Sequence, residues 1–161
     1  MSAAVPRVYA LSPVPRRLGW TGRAVAFLIA AACLALLMTA ATLPPNPNGL
    51  GSHKRLGLQG CQFLQQTGLP CPSCGMTTSF SWFVRGNFLA SFWVQPMGFV
   101  LAAGAAMTVW GAGYVAVTGK PAYLLLSFIP VRYTLIPVLL FGVLAWGWKI
   151  LIHLKGIDGW G

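Results

Sequence analysis

The sequence predicts an all-α integral membrane protein, with about three transmembrane helices and a short interfacial or partly inserted helix starting at a C-x-x-C motif. Three observations carry this reading. Hydrophobic residues make up 57% of the 161 and charged residues only 7%, against roughly 25% charged in a soluble domain. The mean hydropathy is +0.71. Three apolar runs, 24–43, 93–117 and 133–154, are each long enough to cross about 30 Å of hydrocarbon at about 1.5 Å rise per residue. So little charge cannot clothe a water-facing surface, so lipid covers most of the chain, and the length allows a single membrane domain over 24–154.

Eleven Lys and Arg stand against one acid, Asp158, for a net charge of +10. The cations lie at the ends of apolar runs, where they reach lipid phosphates and set topology. That placement points to membrane flanks and away from nucleic acid. A single carboxylate also excludes paired-acid hydrolysis, an aspartate-rich magnesium site and an EF-hand. Asp158 itself is a poor candidate for any of these.

Residues 1–23 read as a basic cytoplasmic tail, with Pro6, Arg7, Pro13, Pro15, Arg16, Arg17 and Arg23. The uncharged run 24–43 is the first span, with Cys33 as a small core hydrophobe. A cleaved signal peptide ending near Thr39-Ala40-Ala41 is the competing reading. The run exceeds the usual apolar segment of about 7–15 residues, which favours an uncleaved helix. Pro44, Pro45 and Pro47 end it, and a Cys-bearing loop and helix occupy 44–92. The loop carries His53, Lys54 and Arg55, and a helical turn is expected near 60–66. Pro72 suits the first residue of a helix running to about Arg85. Gly86 is its stop and Asn87 the cap of the next helix. That Cys-bearing helix is too short to span.

The second span, 93–117, has Pro96 near its start. Gly98, Ala102, Ala103, Ala105, Ala106, Gly111 and Gly113 supply small residues for close helix approach. A turn at Thr118–Pro121 and a short interfacial stretch at 122–129 lead to the third span, 133–154. Trp146, Trp148, Lys149 and His153 give that span an aromatic and cationic end, followed by a short tail, 155–161. The arginines of the N-terminal tail place the N-terminus in the cytoplasm and the cysteine stretch outside. Lys120 and Arg132 agree with that orientation, whereas Lys54, Arg55, Arg85, Lys149 and Lys155 fall on the outer side.

Cys61, Cys71 and Cys74 lie together in the connecting stretch, where several readings compete. Two thiolates in a C-x-x-C can share a tetrahedral zinc or another thiolate-bound metal, with Cys61 as a third ligand and His53 as a candidate fourth. Alternatively, Cys71 at a helix start is a reactive thiol with Cys74 resolving, or Cys61 forms a structural disulfide with either. Simple packing is the fourth reading. No βαβ pattern surrounds the motif, which excludes a thioredoxin fold. Thr77, Thr78, Ser79 and Ser81 follow, with hydroxyls expected to bond back to backbone. Arg85 either snorkels or meets an anion such as lipid phosphate.

The order Cys61, Thr67-Gly68, Cys71-Pro72-x-Cys74-Gly75-x-Thr77, then Gly86, Ala90 and Pro96, resembles a bacterial family of small membrane proteins, domain of unknown function 2752. The resemblance covers about residues 60–105. Thr78 stands where the family usually has Arg, and Gln95 where it has Asn, so an anion role carried by that Arg does not transfer. The resemblance implies a bacterial inner-membrane protein whose cysteines act as a set, and it implies no activity.

The expected function is a small non-catalytic membrane accessory protein or complex subunit with an extracytoplasmic three-cysteine site that binds metal or forms a disulfide. Its partners would be the lipid bilayer and other membrane subunits, with no nucleic acid. A membrane thiol–disulfide oxidoreductase using Cys71 and Cys74 is the alternative. A small transporter is the weakest reading, because three spans without internal charge leave little to couple.

Overall fold

A computed structural model describes residues 17–46, 48–49, 61–120 and 131–160. The expectations for 1–16, for His53, Lys54 and Arg55, and for 122–129 lie outside the described residues. Among those residues the fold is all-helical: α1 (Trp20–Thr42), α2 (Gln62–Thr67), α3 (Met76–Val84), α4 (Phe88–Val94), α5 (Pro96–Thr118) and α6 (Val131–Leu154). Three helices are long and apolar enough to cross a membrane: α1, α5 and Leu135–Leu154 of α6. Leu28, Leu34, Met107, Ile136 and Leu144 lie exposed along them, as lipid-facing side chains must.

The boundaries follow local chemistry. The first helix begins at Trp20, ahead of the expected 24, and takes Arg23 into its first turn. Its Nε and a terminal guanidinium nitrogen donate to Ala116 and Val117 carbonyls at 2.8 and 2.9 Å. These are unpaired carbonyls at the C-terminus of α5, where a cation also meets the helix dipole. Gly119 closes α5 in the left-handed conformation, φ +67°. Arg17, Arg23 and Gly119 thereby meet at one end of the α1–α5 pair.

The expected second span divides at Gln95, which is extended (φ −159°) and leaves α4 as a separate short helix. Pro96 then starts α5, where its missing N–H costs nothing. Asn87 caps α4, its side chain accepting from the Ala90 N–H at 3.0 Å, and Gly86 takes φ +80° as the preceding stop. Both roles match the sequence expectation. Pro137 lies inside α6.

Small residues set the packing. Ala26, Ala30 and Ala40 of α1 and Gly98, Ala102 and Val115 of α5 are buried. Helices without side-chain bulk approach closely and gain dispersion contacts, which hold helices together where lipid removes the hydrophobic driving force. The short helices α3 and α4 then stack over the far end of this pair. Phe83, Phe88, Phe92 and Phe99 form an edge-on cluster there, with centroids 5.1 Å apart for Phe83–Phe88 and 5.8 Å for Phe92–Phe99.

Buried hydroxyls weld the short helices to each other and to α1. Ser91 Oγ donates to the Ser79 carbonyl at 2.8 Å, and Ser79 Oγ to the Ser91 carbonyl at 2.9 Å. Ser81 Oγ donates to the Ala40 carbonyl at 3.1 Å. The hydroxyls thus reach backbone, as expected, but much of that backbone belongs to neighbouring helices.

Gly98 faces Ser79 with no room to spare: a Cβ there would lie 2.8 Å from Ser79 Oγ and 2.9 Å from its Cβ. Overpacking of this kind costs about 1–3 kcal/mol. Gly98→Ala is therefore expected to lower the thermal unfolding midpoint in detergent. An unchanged midpoint would contradict the close approach of α3 to α5.

Candidate three-cysteine centre

The cysteine turn is built on Gly75. Its φ of +85° is a left-handed conformation that glycine adopts without strain. The chain therefore turns through Cys71–Gly75 and enters α3 only at Met76. The sequence expectation of a helix from Pro72 is corrected accordingly: a left-handed residue at 75 interrupts the helical ladder, and Pro72 sits in the turn. Cys74 N–H donates to the Cys71 carbonyl at 2.9 Å, which closes the turn. Cys74, not Cys71, is thus the cysteine beside the start of α3.

Space enforces the same turn. A Cβ on Gly75 would meet the Gly49 carbonyl oxygen at 2.9 Å, Val94 Cγ1 at 3.3 Å and Lys149 Cε at 3.4 Å. Two long-range hydrogen bonds pin the loop from outside. Gln95 Nε2 donates to the Pro72 carbonyl at 2.9 Å, and Trp146 Nε1 to the Pro70 carbonyl at 3.0 Å. The loop after α1, the α4–α5 junction and α6 therefore converge on this short stretch.

This turn brings the C-x-x-C pair against Cys61, which begins α2. The three sulfurs all lie within 4.8 Å of one another. Cys71 and Cys74 Sγ are 3.3 Å apart, a thiol–thiol contact and not a bond, and the cysteines are free. Cys74 is buried, while Cys61 and Cys71 are half-buried. Ser73 Oγ lies 3.2 Å from Cys71 Sγ. Cys33 is in the middle of α1 and is not part of the group.

The thiols differ in acidity. The Leu64 backbone N–H at the start of α2 draws the Cys61 thiol down to about 7, with partial burial opposing it and the neighbouring Cys71 and Cys74 thiols assisting. Burial pushes Cys74 up to about 12, and the adjacent sulfurs of Cys71 and Cys61 add to this.

A cavity of about 670 Å³ opens beside the sulfurs. Leu36, Leu43, Met76, Thr77 and Phe80 are among its walls, so it is mainly apolar with thiols at one end. Thr77 thus faces the centre from the side. Arg85 does not join it. Its guanidinium donates to the Ser81 carbonyl at 2.8 Å and the Ala41 carbonyl at 3.1 Å, tying the ends of α3 and α1. His53 lies outside the described residues.

Two charged residues that sequence reasoning set aside stand next to the centre. Lys149 is fully buried, and its Nζ lies 3.1 Å from Asp158 Oδ1. His153 Nδ1 makes a short contact with Asp158 Oδ2. The tail after α6 bends back at Gly156, φ +68°, and Trp93 Nε1 holds it through the Ile157 carbonyl at 3.3 Å. The available signal was the chain's one acid, nine positions from a lysine inside an apolar span.

Residues 61–109 match the family model for a protein of unknown function (DUF2752). The resemblance read from the motif is borne out over that stretch. It contains the three cysteines, the Gly75 turn, α3, α4 and the first part of α5. The DUF2752 match ends before Lys149 and Asp158, so that pair lies beyond what the family defines here. No curated protein and no solved structure matches the chain.

Thiolates, not thiols, react with alkylating agents. A lowered pKa puts Cys61 in its reactive form from about pH 7 upward, while Cys74 stays protonated until about pH 12. Peptide-resolved iodoacetamide labelling across pH 5–10 is expected to show Cys61 half-maximal near pH 7 and Cys74 unlabelled. Equal labelling of the two at pH 8 would contradict this environment.

Proposed function

We propose that this is a non-catalytic membrane accessory protein whose three-cysteine centre binds a soft metal ion. The observation that carries the reading is the convergence of Cys61, Cys71 and Cys74 sulfurs within 4.8 Å from two separate segments. Tetrahedral zinc with Zn–S near 2.3 Å requires sulfurs about 3.8 Å apart. The 3.3 Å between Cys71 and Cys74 and the 4.8 Å limit bracket that spacing. Thiolate ligands favour zinc, copper(I) and similar ions over hard cations. The pinned turn supports it further, since a preformed site loses little entropy on binding.

Three helices able to span, with the centre at the opposite end from Arg17 and Arg23, support an extracytoplasmic site in a protein whose N-terminus is cytoplasmic. In a bacterial cell this is the inner membrane. Other membrane subunits are the partners that the accessory role implies.

A second reading has its own support. Cys61 is acidic and half-buried, while Cys74 is buried beside Cys71. That division suits thiol–disulfide exchange, in which a substrate disulfide is reduced to two thiols as two of these cysteines become a disulfide. Cys61 would then be the attacking thiol in place of Cys71.

The metal reading is tested on the purified full chain in detergent, titrated with zinc(II) and separately with copper(I). One ion per chain is expected, with sulfur neighbours near 2.3 Å by X-ray absorption. Cys61→Ser, Cys71→Ser and Cys74→Ser are each expected to weaken binding at least tenfold. If neither ion binds, or if Cys61→Ser binds as the parent does, the metal reading fails. A trapped mixed disulfide through Cys61 would support exchange instead.

A further inference from the structure

A buried ion pair is costly unless something compensates it. Lys149 is wholly buried, in a helix apolar enough to span, and pairs with the chain's one acid. The pairing is incomplete. Lys149 Nζ and Asp158 Oδ1 are 3.1 Å apart, yet neither atom has a hydrogen-bond partner among the described residues. The Asp158 carboxylate meets the ammonium at ion-pair distance, and no other side chain among the described residues is paired with it. The carboxylate is shared, since its other oxygen contacts His153.

The lysine side chain leads to the thiols. Its Cε packs against Gly75, the neighbour of Cys74. The lysine stem therefore passes the cysteine turn at Gly75 before its ammonium meets Asp158. We propose that Lys149 is the charge-compensating residue of the three-cysteine centre, and that it biases the centre towards a monovalent soft cation such as copper(I) over a divalent one such as zinc(II).

The reasoning is Coulombic. Metal-bound cysteines are thiolates. Three thiolates with a divalent ion carry −1, and with a monovalent ion −2. A fixed positive charge stabilises the more negative complex more. Asp158 works against this bias, because its carboxylate offsets part of the lysine's field. Lys149 is a positioning and selectivity residue in this scheme, not a ligand.

The inference rests on the metal reading above, and its test separates the two. Copper(I) and zinc(II) affinities are measured on the full chain in detergent by competition with chromophoric chelators, and their ratio is compared among the parent, Lys149→Met and Asp158→Asn. Lys149→Met is expected to lower the copper(I)-to-zinc(II) ratio by at least about tenfold, since a unit charge within about 10 Å at an effective dielectric of about 20 contributes that much or more. Asp158→Asn, which removes the opposing charge, is expected to raise it. A purely structural role for Lys149 would weaken both ions equally and leave the ratio unchanged, which overturns the proposal. Should Lys149→Met fail to fold, an unchanged or lowered ratio in Asp158→Asn overturns it alone. If the parent binds neither ion, the metal reading fails first and this inference falls with it.

Discussion

The turn at Gly75 is the constraint on which the thiol end of the molecule depends. Its backbone lies in a region that side-chain-bearing residues rarely enter, φ +85°, and three other segments fill the space a Cβ would need. Those segments are the loop after α1, the end of α4 and the last turns of α6. One residue thus fixes the direction of α3, the side of the turn on which Cys74 emerges, and the depth at which Lys149 lies. Moving it would disturb helix, sulfur and ammonium together.

Around that turn the molecule solves a problem set by its solvent. Hydrocarbon offers no hydrogen bonds, so backbone groups freed at helix ends must find partners inside the protein. Arg23 reaches the end of α5, Arg85 the end of α1, and Ser81 the Ala40 carbonyl beside it. Gln95 and Trp146 do the same for the cysteine loop. Donors that look like functional candidates in a list of residues are here engaged in closing the fold. This is the physical reason Arg85 ties α3 to α1.

The sequence made some of this legible and concealed the rest. Long uncharged runs marked α1, α5 and α6, because spanning a bilayer depends on length and apolarity and little else. Asn87 and Gly86 announced a helix boundary through local hydrogen bonding and left-handed backbone, which need no tertiary information. The cysteines could be grouped by spacing and motif. Pro72 misled, since a proline suits a helix start and a turn equally, and Gly75 decided between them through contacts from distant helices. Gln95 carried no periodic signal, yet its extended backbone divides two helices and its side chain pins the Pro72 carbonyl. Lys149 and Asp158 were read as a membrane-edge cation and an idle acid. Their pairing depends on the reversal at Gly156, a feature of three-dimensional path with no sequence periodicity.

That reversal has a consequence for the character of the site. A tail left extended would take Asp158 into solvent, and Lys149 would face a buried position with no counter-charge at all. An unpaired buried ammonium is far costlier than a paired one, so the tail and the lysine stabilise each other's placement. Trp93 reinforces it twice: its ring stacks edge-on against Trp148 at 5.1 Å and Trp160 at 6.4 Å, and its indole N–H holds the Ile157 carbonyl. The polar elements of this end, three thiols, one ammonium, one carboxylate and one imidazole, are therefore assembled from both halves of the chain. Helix packing alone would not require such an assembly, because an apolar side chain at 149 would fill the same space without a buried charge. Under the charge-compensation proposal, what the charge adds is a field that stabilises the sulfurs once they are thiolates.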